Sequence, residues 1–228
     1  MKLEVNMKKF VAVLLLVSTA SWVSAQDCTL YFPSKVGETV EVTHYNQKGK
    51  EQSKSTTKVI RVDENGGDIT IDAELSTQVK KDTHVIEYSA SCIDGVFKLN
   101  MFGGITSNEM AGNFELDGDF LDIPSNPQAG DMLDNKTIIM RLKAGEDNLG
   151  LVNLKYHFTN RKIEALEKIT TPAGTFDAIK MSYDMEFKMG LVFRMSAVEW
   201  YVKGVGMVRS ELYRKGKLDG YSEITALN

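Results

Sequence analysis

Between Ile179 and Met189 the chain alternates strictly. Ile179, Met181, Tyr183, Met185, Phe187 and Met189 are apolar, and Lys180, Ser182, Asp184, Glu186 and Lys188 between them are polar. At helical spacing these apolar positions would scatter around the wheel, whereas at period two they share one face. The segment is predicted as a long, half-buried β-strand. The same period recurs in Ile69/Ile71/Ala73/Leu75, Ile86/Tyr88/Ala90, Val152/Leu154/Tyr156/Phe158 and Val198/Trp200/Val202. It is weaker in Val40/Val42, Phe114/Leu116 and Ile138/Met140/Leu142.

Turn residues divide these runs. Gln47-Lys48-Gly49-Lys50, Glu64-Asn65-Gly66-Gly67, Lys80-Lys81-Asp82, Ile93-Asp94-Gly95, Thr171-Pro172-Ala173-Gly174 and Lys215-Gly216-Lys217 all suit hairpin loops. Alternation with short connections predicts an antiparallel meander, one face packed and one wet. A twisted sheet of about ten to twelve strands has to curl or close. The expected fold is therefore all-β: a single antiparallel, strongly curved sheet forming an open or closed barrel. Residues 103–136, rich in Gly, Asn and Asp and holding Pro124 and Pro127, read as a loop-rich excursion with a short helical turn near Asn108–Asn113. No shift in composition marks a second domain, so residues 26–228 are expected to form one β domain.

The first 25 residues have a different character. Lys8 and Lys9 precede the apolar run Phe10–Val17, and Val23-Ser24-Ala25 places small residues before a cut at Gln26. This is the pattern of a secretory signal peptide, with translation starting at Met1 or Met7. The run is too short to span a bilayer, and no second apolar segment follows, so no transmembrane segment is expected in the mature chain. Asp27 immediately before Cys28 argues against a lipidated cysteine. Export places Cys28 and Cys92 in an oxidising compartment, where an even cysteine count predicts a disulfide.

The whole chain carries a net charge of −4, and loss of residues 1–25 makes it more acidic. That balance excludes a typical nucleic-acid binder, which shows a basic stripe. Met181, Met185 and Met189 could suggest soft-metal ligation. On a strand, positions four apart lie about 13 Å from each other, too far for one ion. Met181, Tyr183, Met185, Phe187 and Met189 are read instead as candidates for the wall of an apolar ligand cavity. His44, His84 and His157 form no metal-ligand spacing, although His44 and His84 could meet if their strands are neighbours. Asp63, Asn65, Asp68 and Glu74 imitate part of a calcium loop, but Asp68 stands where that loop needs glycine. No nucleotide-binding or nucleophile motif is present, and no metal or cofactor is expected.

Gly37-Glu38-Thr39-Val40-Glu41-Val42, the Tyr45–Lys50 hairpin, Thr171-Pro172-Ala173-Gly174-Thr175-Phe176, Trp200 through Ser210 and Gly220-Tyr221-Ser222 resemble the exported DUF3108-like (TapB-like) family of Bacteroidetes-type bacteria. The resemblance covers nearly all of the mature chain and rests on turn and strand motifs. It implies an exported, single antiparallel β domain similar to the curved half-barrels of periplasmic lipoprotein carriers, and it brings no catalytic residues. The expectation is a non-enzymatic protein of the periplasm or cell exterior of a Gram-negative bacterium, binding a lipid-like or other apolar ligand. The alternative is a protein–protein module with a simply packed core and an envelope protein as partner. A hydrolase remains a third class and would need converging ionisable groups.

Overall fold

The computed structural model describes residues 28–100, 114–118, 121–144, 150–189 and 191–228. The leader segment 1–25, the proposed turn at Asn108–Asn113 and the side chain of Met189 lie outside the described residues. Every element in the described residues is a β-strand. They are β1 (Thr39–Asn46), β2 (Glu51–Asn65), β3 (Asp68–Val79), β4 (Asp82–Ile93), β5 (Val96–Asn100), β6 (Phe114–Gly118) and β7 (Leu121–Pro124). Then follow β8 (Lys136–Ala144), β9 (Gly150–Thr171), β10 (Gly174–Met189), β11 (Leu191–Val202), β12 (Gly206–Arg214) and β13 (Lys217–Leu227). All neighbours pair antiparallel in one sheet, in the order β6-β8-β9-β10-β11-β12-β13-β1-β2-β3-β4-β5-β7. The segment read as an excursion thus supplies both edge strands, and these carry the count to 13. Four- and five-residue strands among Gly, Asp and Pro leave little periodic signal in the sequence.

The predicted hairpin turns all occur. Gly66 and Gly67 both take positive φ, 63° and 98°, and so join β2 to β3 through the left-handed geometry a two-residue hairpin loop requires. At Gly220 the constraint is space. A Cβ there would lie 2.8 Å from the carbonyl oxygen of Tyr45 on the paired strand. Gly220→Ala is expected to cost about 1–3 kcal/mol by forcing β13 away from β1. A lower urea midpoint with an unchanged m-value would show this.

The sheet curls back on itself. Gly118 ends β6 and Leu121 begins β7, so three peptide units hold the two outermost strands within about 11 Å. In sheet order β9 and β7 are ten steps apart, about 48 Å if the sheet were flat. Yet Arg161 of β9 donates from Nη1 to Asp122 Oδ1 of β7 at 2.8 Å and from Nη2 to the Asp122 carbonyl at 2.7 Å. Arg161 Nη1 also reaches the Asp134 carbonyl at 2.7 Å, and Lys136 Nζ of β8 lies 3.0 Å from Asp122 Oδ2. Asp122 therefore clasps the two halves of the curved sheet together.

A bulge aims Arg161 inward. Tyr156 and Phe158 pack towards the interior, so unbroken alternation would turn Asn160 in next. Asn160 instead takes φ 52°, the ladder to β10 shifts register between Ser182 and Asp184, and Arg161 and Ile163 become the fully buried residues. Re-aiming a side chain is what an extra residue in one strand does. Asn tolerates the left-handed conformation better than most residues.

The N-terminal strap, residues 28–34, lies against the concave side. Cys28 is bridged to Cys92 of β4, with Cα atoms 6.0 Å apart. Tyr31 meets Phe97 edge-on at 6.0 Å, and Phe32 meets Tyr88 edge-on at 5.6 Å. The Leu30 carbonyl accepts from Gly204 N at 2.8 Å, in the turn between β11 and β12. The strap thus runs from β4 to the β11–β12 turn. Tyr31 and Phe32 join the main core with Val59, Ile71, Phe97, Ile163, Met181 and Tyr201. Val40, Ala178, Trp200, Val202, Val208 and Ile224 form a second buried cluster.

Candidate functional site

From Glu199 to Val202, β11 is buried on both sides. Trp200 belongs to the second cluster, has Lys180 Nζ 5.2 Å from its ring centroid and donates from Nε1 to Glu167 at 2.8 Å. Glu199 and Tyr201, in the opposite phase, line the interior. Glu199 is only 7% exposed. Tyr183 Oη of β10 donates to Glu199 Oε1 at 2.8 Å, and Tyr201 Oη donates to Oε2 at 2.8 Å. Ser210 of β12 supplies a further hydrogen bond. Burial pushes the Glu199 carboxyl above its ordinary range, opposed by these three hydroxyls and by the charge of Arg161. The same burial drives the Tyr183 and Tyr201 phenols well above theirs.

A cavity of about 230 Å³ lies between this face and the strap. Phe32, Val40, Val42, Leu75, Leu99 and Met207 give it a mostly apolar wall. Glu199, Tyr201, His44, Ser55, Thr57, Tyr88 and Tyr31 supply the polar positions. His44 Nε2 lies 3.1 Å from Ser55 Oγ, which lies 3.0 Å from Thr77 Oγ1. Burial lowers the His44 pKa, favouring the neutral imidazole. Thr57 Oγ1 bonds Tyr88 Oη at 3.0 Å, and burial pushes the Tyr88 phenol up to about 12 against that bond. Tyr31 is 2% exposed, its Oη has no hydrogen-bond partner, and burial raises its pKa to about 12.

A larger recess of about 480 Å³ shares Tyr31 and Tyr201 with this cavity. Its other walls include the exposed charges Glu167, Lys168, Asp177 and Lys203, so it reads as a solvated recess. The inner cavity, backed by the buried carboxyl, is the better candidate for a site.

Met181, Tyr183, Met185 and Phe187, singled out in the sequence, have these places. Met181 and Tyr183 are buried in the main core, and Met185 packs against it. Phe187 stacks on Phe193 at 5.0 Å and lies 5.4 Å from Tyr156. None of these lines either cavity. Their strand contributes Tyr183 to the site through its hydroxyl on Glu199. His44 and His84 do not meet, because β2 and β3 separate their strands and Ser55 and Thr77 stand between them. Asp63 pairs with Arg61 at 3.0 Å, and Asp68 accepts from Asp94 N at 3.3 Å. Among the described residues no group of three or more metal-ligating side chains converges. No motif or spacing in the sequence marks Glu199 or Arg161 directly. The break in alternation at Asn160-Arg161 was the available signal for the second.

Two solved structures share this architecture. One, from Bacteroides fragilis NCTC 9343, is of a protein inferred to be exported, with a YmcC-like fold. It matches with a TM-score of 0.73 at 25% identity, covering 88% of this chain and 100% of its own. The other, from Parabacteroides distasonis ATCC 8503, is of a protein inferred to be a lipoprotein. It matches with a TM-score of 0.73 at 25% identity, covering 89% of this chain and 100% of its own. No curated protein matches the chain. The sequence profile of the DUF3108-like family matches residues 35–224, which take in all thirteen strands apart from the last residues of β13. On that match the chain belongs to the DUF3108-like family.

Proposed function

We propose that this protein is an exported, non-enzymatic cell-envelope protein that holds an apolar or amphipathic ligand in the cavity between the N-terminal strap and the curved sheet. The observation that carries the reading is the cavity itself: about 230 Å³, walled by Phe32, Val40, Val42, Leu75, Leu99 and Met207, with a few polar groups among them, including Glu199, His44 and Thr57. Ligand sites combine a mostly apolar wall with a few placed polar groups in this way. Export is supported by the leader pattern at residues 1–25 and by the descriptions of the two structural neighbours. Glu199 and His44 are the ionisable side chains on the cavity wall besides its tyrosines. Here the carboxyl is held by three hydroxyls and the imidazole by Ser55, which suits a structural or binding role.

Binding of N-phenyl-1-naphthylamine, an uncharged apolar fluorophore, tests the reading. The wild-type protein is expected to enhance its emission with saturation, and Val42→Phe, which fills the cavity, is expected to abolish the enhancement while unfolding cooperatively. Equal enhancement by both proteins would reject the cavity as the site. Without any enhancement, stoichiometric recovery of an envelope protein would favour the interaction-module reading. Leu191, Val192 and Phe193, exposed just after the β10–β11 turn, offer apolar surface for that alternative.

A further inference from the structure

Part of the β9 backbone is left without a neighbouring strand. β8 pairs with it from Gly150 to Phe158. The segment after β7 takes over as far as Ile163, where Gly130 N donates to the Ile163 carbonyl at 2.7 Å and Ile163 N donates to the Asp131 carbonyl at 2.9 Å. From Glu164 to Thr171, β9 pairs only with β10 among the described residues. Hydrogen-bonding direction alternates along a strand. Carried from Ile163 past the bulge at Glu164, that alternation turns the N–H and C=O groups of Leu166, Lys168 and Thr170 outward. Leu166 is 58% exposed, and Lys168 and Thr170 are exposed with it. A bare row of this kind is a template for another strand, and proteins commonly guard it with a lysine, a proline or a bulge. Here the bulge and Pro172 lie at the two ends of the stretch, and the Lys168 ammonium is 2.7 Å from Asp177 Oδ1, which offsets its charge.

The geometry points to strand addition: this edge and the solvated recess beside it form a docking cleft for an extended, acidic peptide segment of a partner protein. Leu166, Glu167 and Lys168 line the recess of about 480 Å³, and the segment from Ser125 to Gln128 supplies another of its walls. A space walled by a loop as well as by the edge suits a single extended chain better than the edge of a second folded sheet. The incoming strand gains main-chain hydrogen bonds from the edge, and its alternate side chains enter the recess. Leu166 and Ile179 there favour an apolar residue. Lys203 sets the preferred charge. It is exposed on the recess wall, and among the described residues no carboxylate pairs with it. Asp177 is paired with Lys168, and Glu167 accepts from Trp200 Nε1 and lies 3.6 Å from Lys180 Nζ. An acidic side chain on the incoming strand therefore meets an unpaired cation and no unpaired anion. Docking here does not require the inner cavity to hold a ligand.

The probe is the fluorescein-labelled peptide Glu-Val-Thr-Val-Thr, closed as its C-terminal amide and titrated with the disulfide-bonded mature protein by fluorescence polarisation. Saturable binding is expected. A strand added to one edge uses alternate amides, so N-methylating either both valines or both threonines should abolish binding, and N-methylating the other pair should not. Lys168→Pro removes one outward N–H and leaves the β9–β10 ladder its bonds, so it should weaken the peptide at least about tenfold while unfolding stays cooperative. If that variant does not fold, Lys203→Glu decides the matter. The wild type should prefer the peptide over Lys-Val-Thr-Val-Thr by about threefold, and Lys203→Glu should reverse that preference. Val42→Phe should bind the peptide as the wild type does, which separates failure of this cleft from failure of the ligand cavity. No saturable binding, or equal binding of both N-methylated forms, would overturn strand addition by a peptide. Self-association of the wild type that Lys168→Pro abolishes would overturn it too, by giving the edge to a second copy of the chain.

Discussion

Asp122→Ala is expected to lower the unfolding free energy by about 3 kcal/mol. The substitution leaves Arg161, 0% exposed, as a buried guanidinium without its carboxylate partner. Breaking a buried pair from one side costs about 3–5 kcal/mol. The lower end applies because the Asp134 and Asp122 carbonyls still accept from Arg161. By contrast, Lys168–Asp177 is as close, at 2.7 Å, but both side chains are open to solvent. Lys168→Ala should therefore change stability by less than about 1 kcal/mol. Urea unfolding of the two variants separates these cases.

The Asp122 effect should also depend on pH. Burial raises the Asp122 carboxyl, but hydrogen bonds and charge from Arg161 and Lys136 outweigh it and hold the pKa below its ordinary value of 3.8. The folded state then binds fewer protons than the unfolded one as the carboxyl titrates. Its contribution is complete above about pH 3.8 and is lost as pH falls through the lower folded value. The gap between wild type and Asp122→Ala should shrink on acidification across that window. A gap that stays constant would mean the carboxylate charge is not what closes the sheet.

Loss of the Cys28–Cys92 bridge is expected to cost about 4 kcal/mol. The cysteines are 64 positions apart, and closing a loop of that length removes about that much chain entropy from the unfolded state. Tyr31 and Phe32 lie three and four residues after Cys28 and form one wall of the cavity, so reduction should weaken ligand binding together with stability. Melting with and without reductant, with thiol alkylation to confirm the redox state, gives both readouts. Unchanged melting after complete reduction would show that the strap is held by its aromatic contacts alone.

The sheet was legible because burial on one face forces period two, and Met181 and Tyr183 are buried where that pattern puts them. The turns were legible because Gly66 and Gly67 need a backbone few other residues accept. The site was much less legible. In β11 the Val198/Trp200/Val202 face looks like the core face, and Glu199 looks like a solvent position. Curling buries both faces there, and an alternation rule built for one wet face cannot tell which side lines a cavity. That rule marked Met181 to Met189 as a cavity wall; Met181, Tyr183, Met185 and Phe187 line neither of the two cavities described, and the inner one is lined from β1–β5, β11, the strap and the start of β12. Arg161 was hidden by the bulge at Asn160, which shifts the phase by one residue within a continuous strand. Asp122 was hidden because four residues of edge strand carry no period.

Native mass spectrometry of the mature protein, extracted from the cell envelope without detergent, tests most directly whether the space beneath the strap holds a ligand. The wild type should carry a discrete additional mass that organic solvent releases, and Val42→Phe prepared alongside should not. A bare polypeptide mass for the wild type, with the disulfide intact and unfolding still cooperative, would contradict ligand binding in this fold.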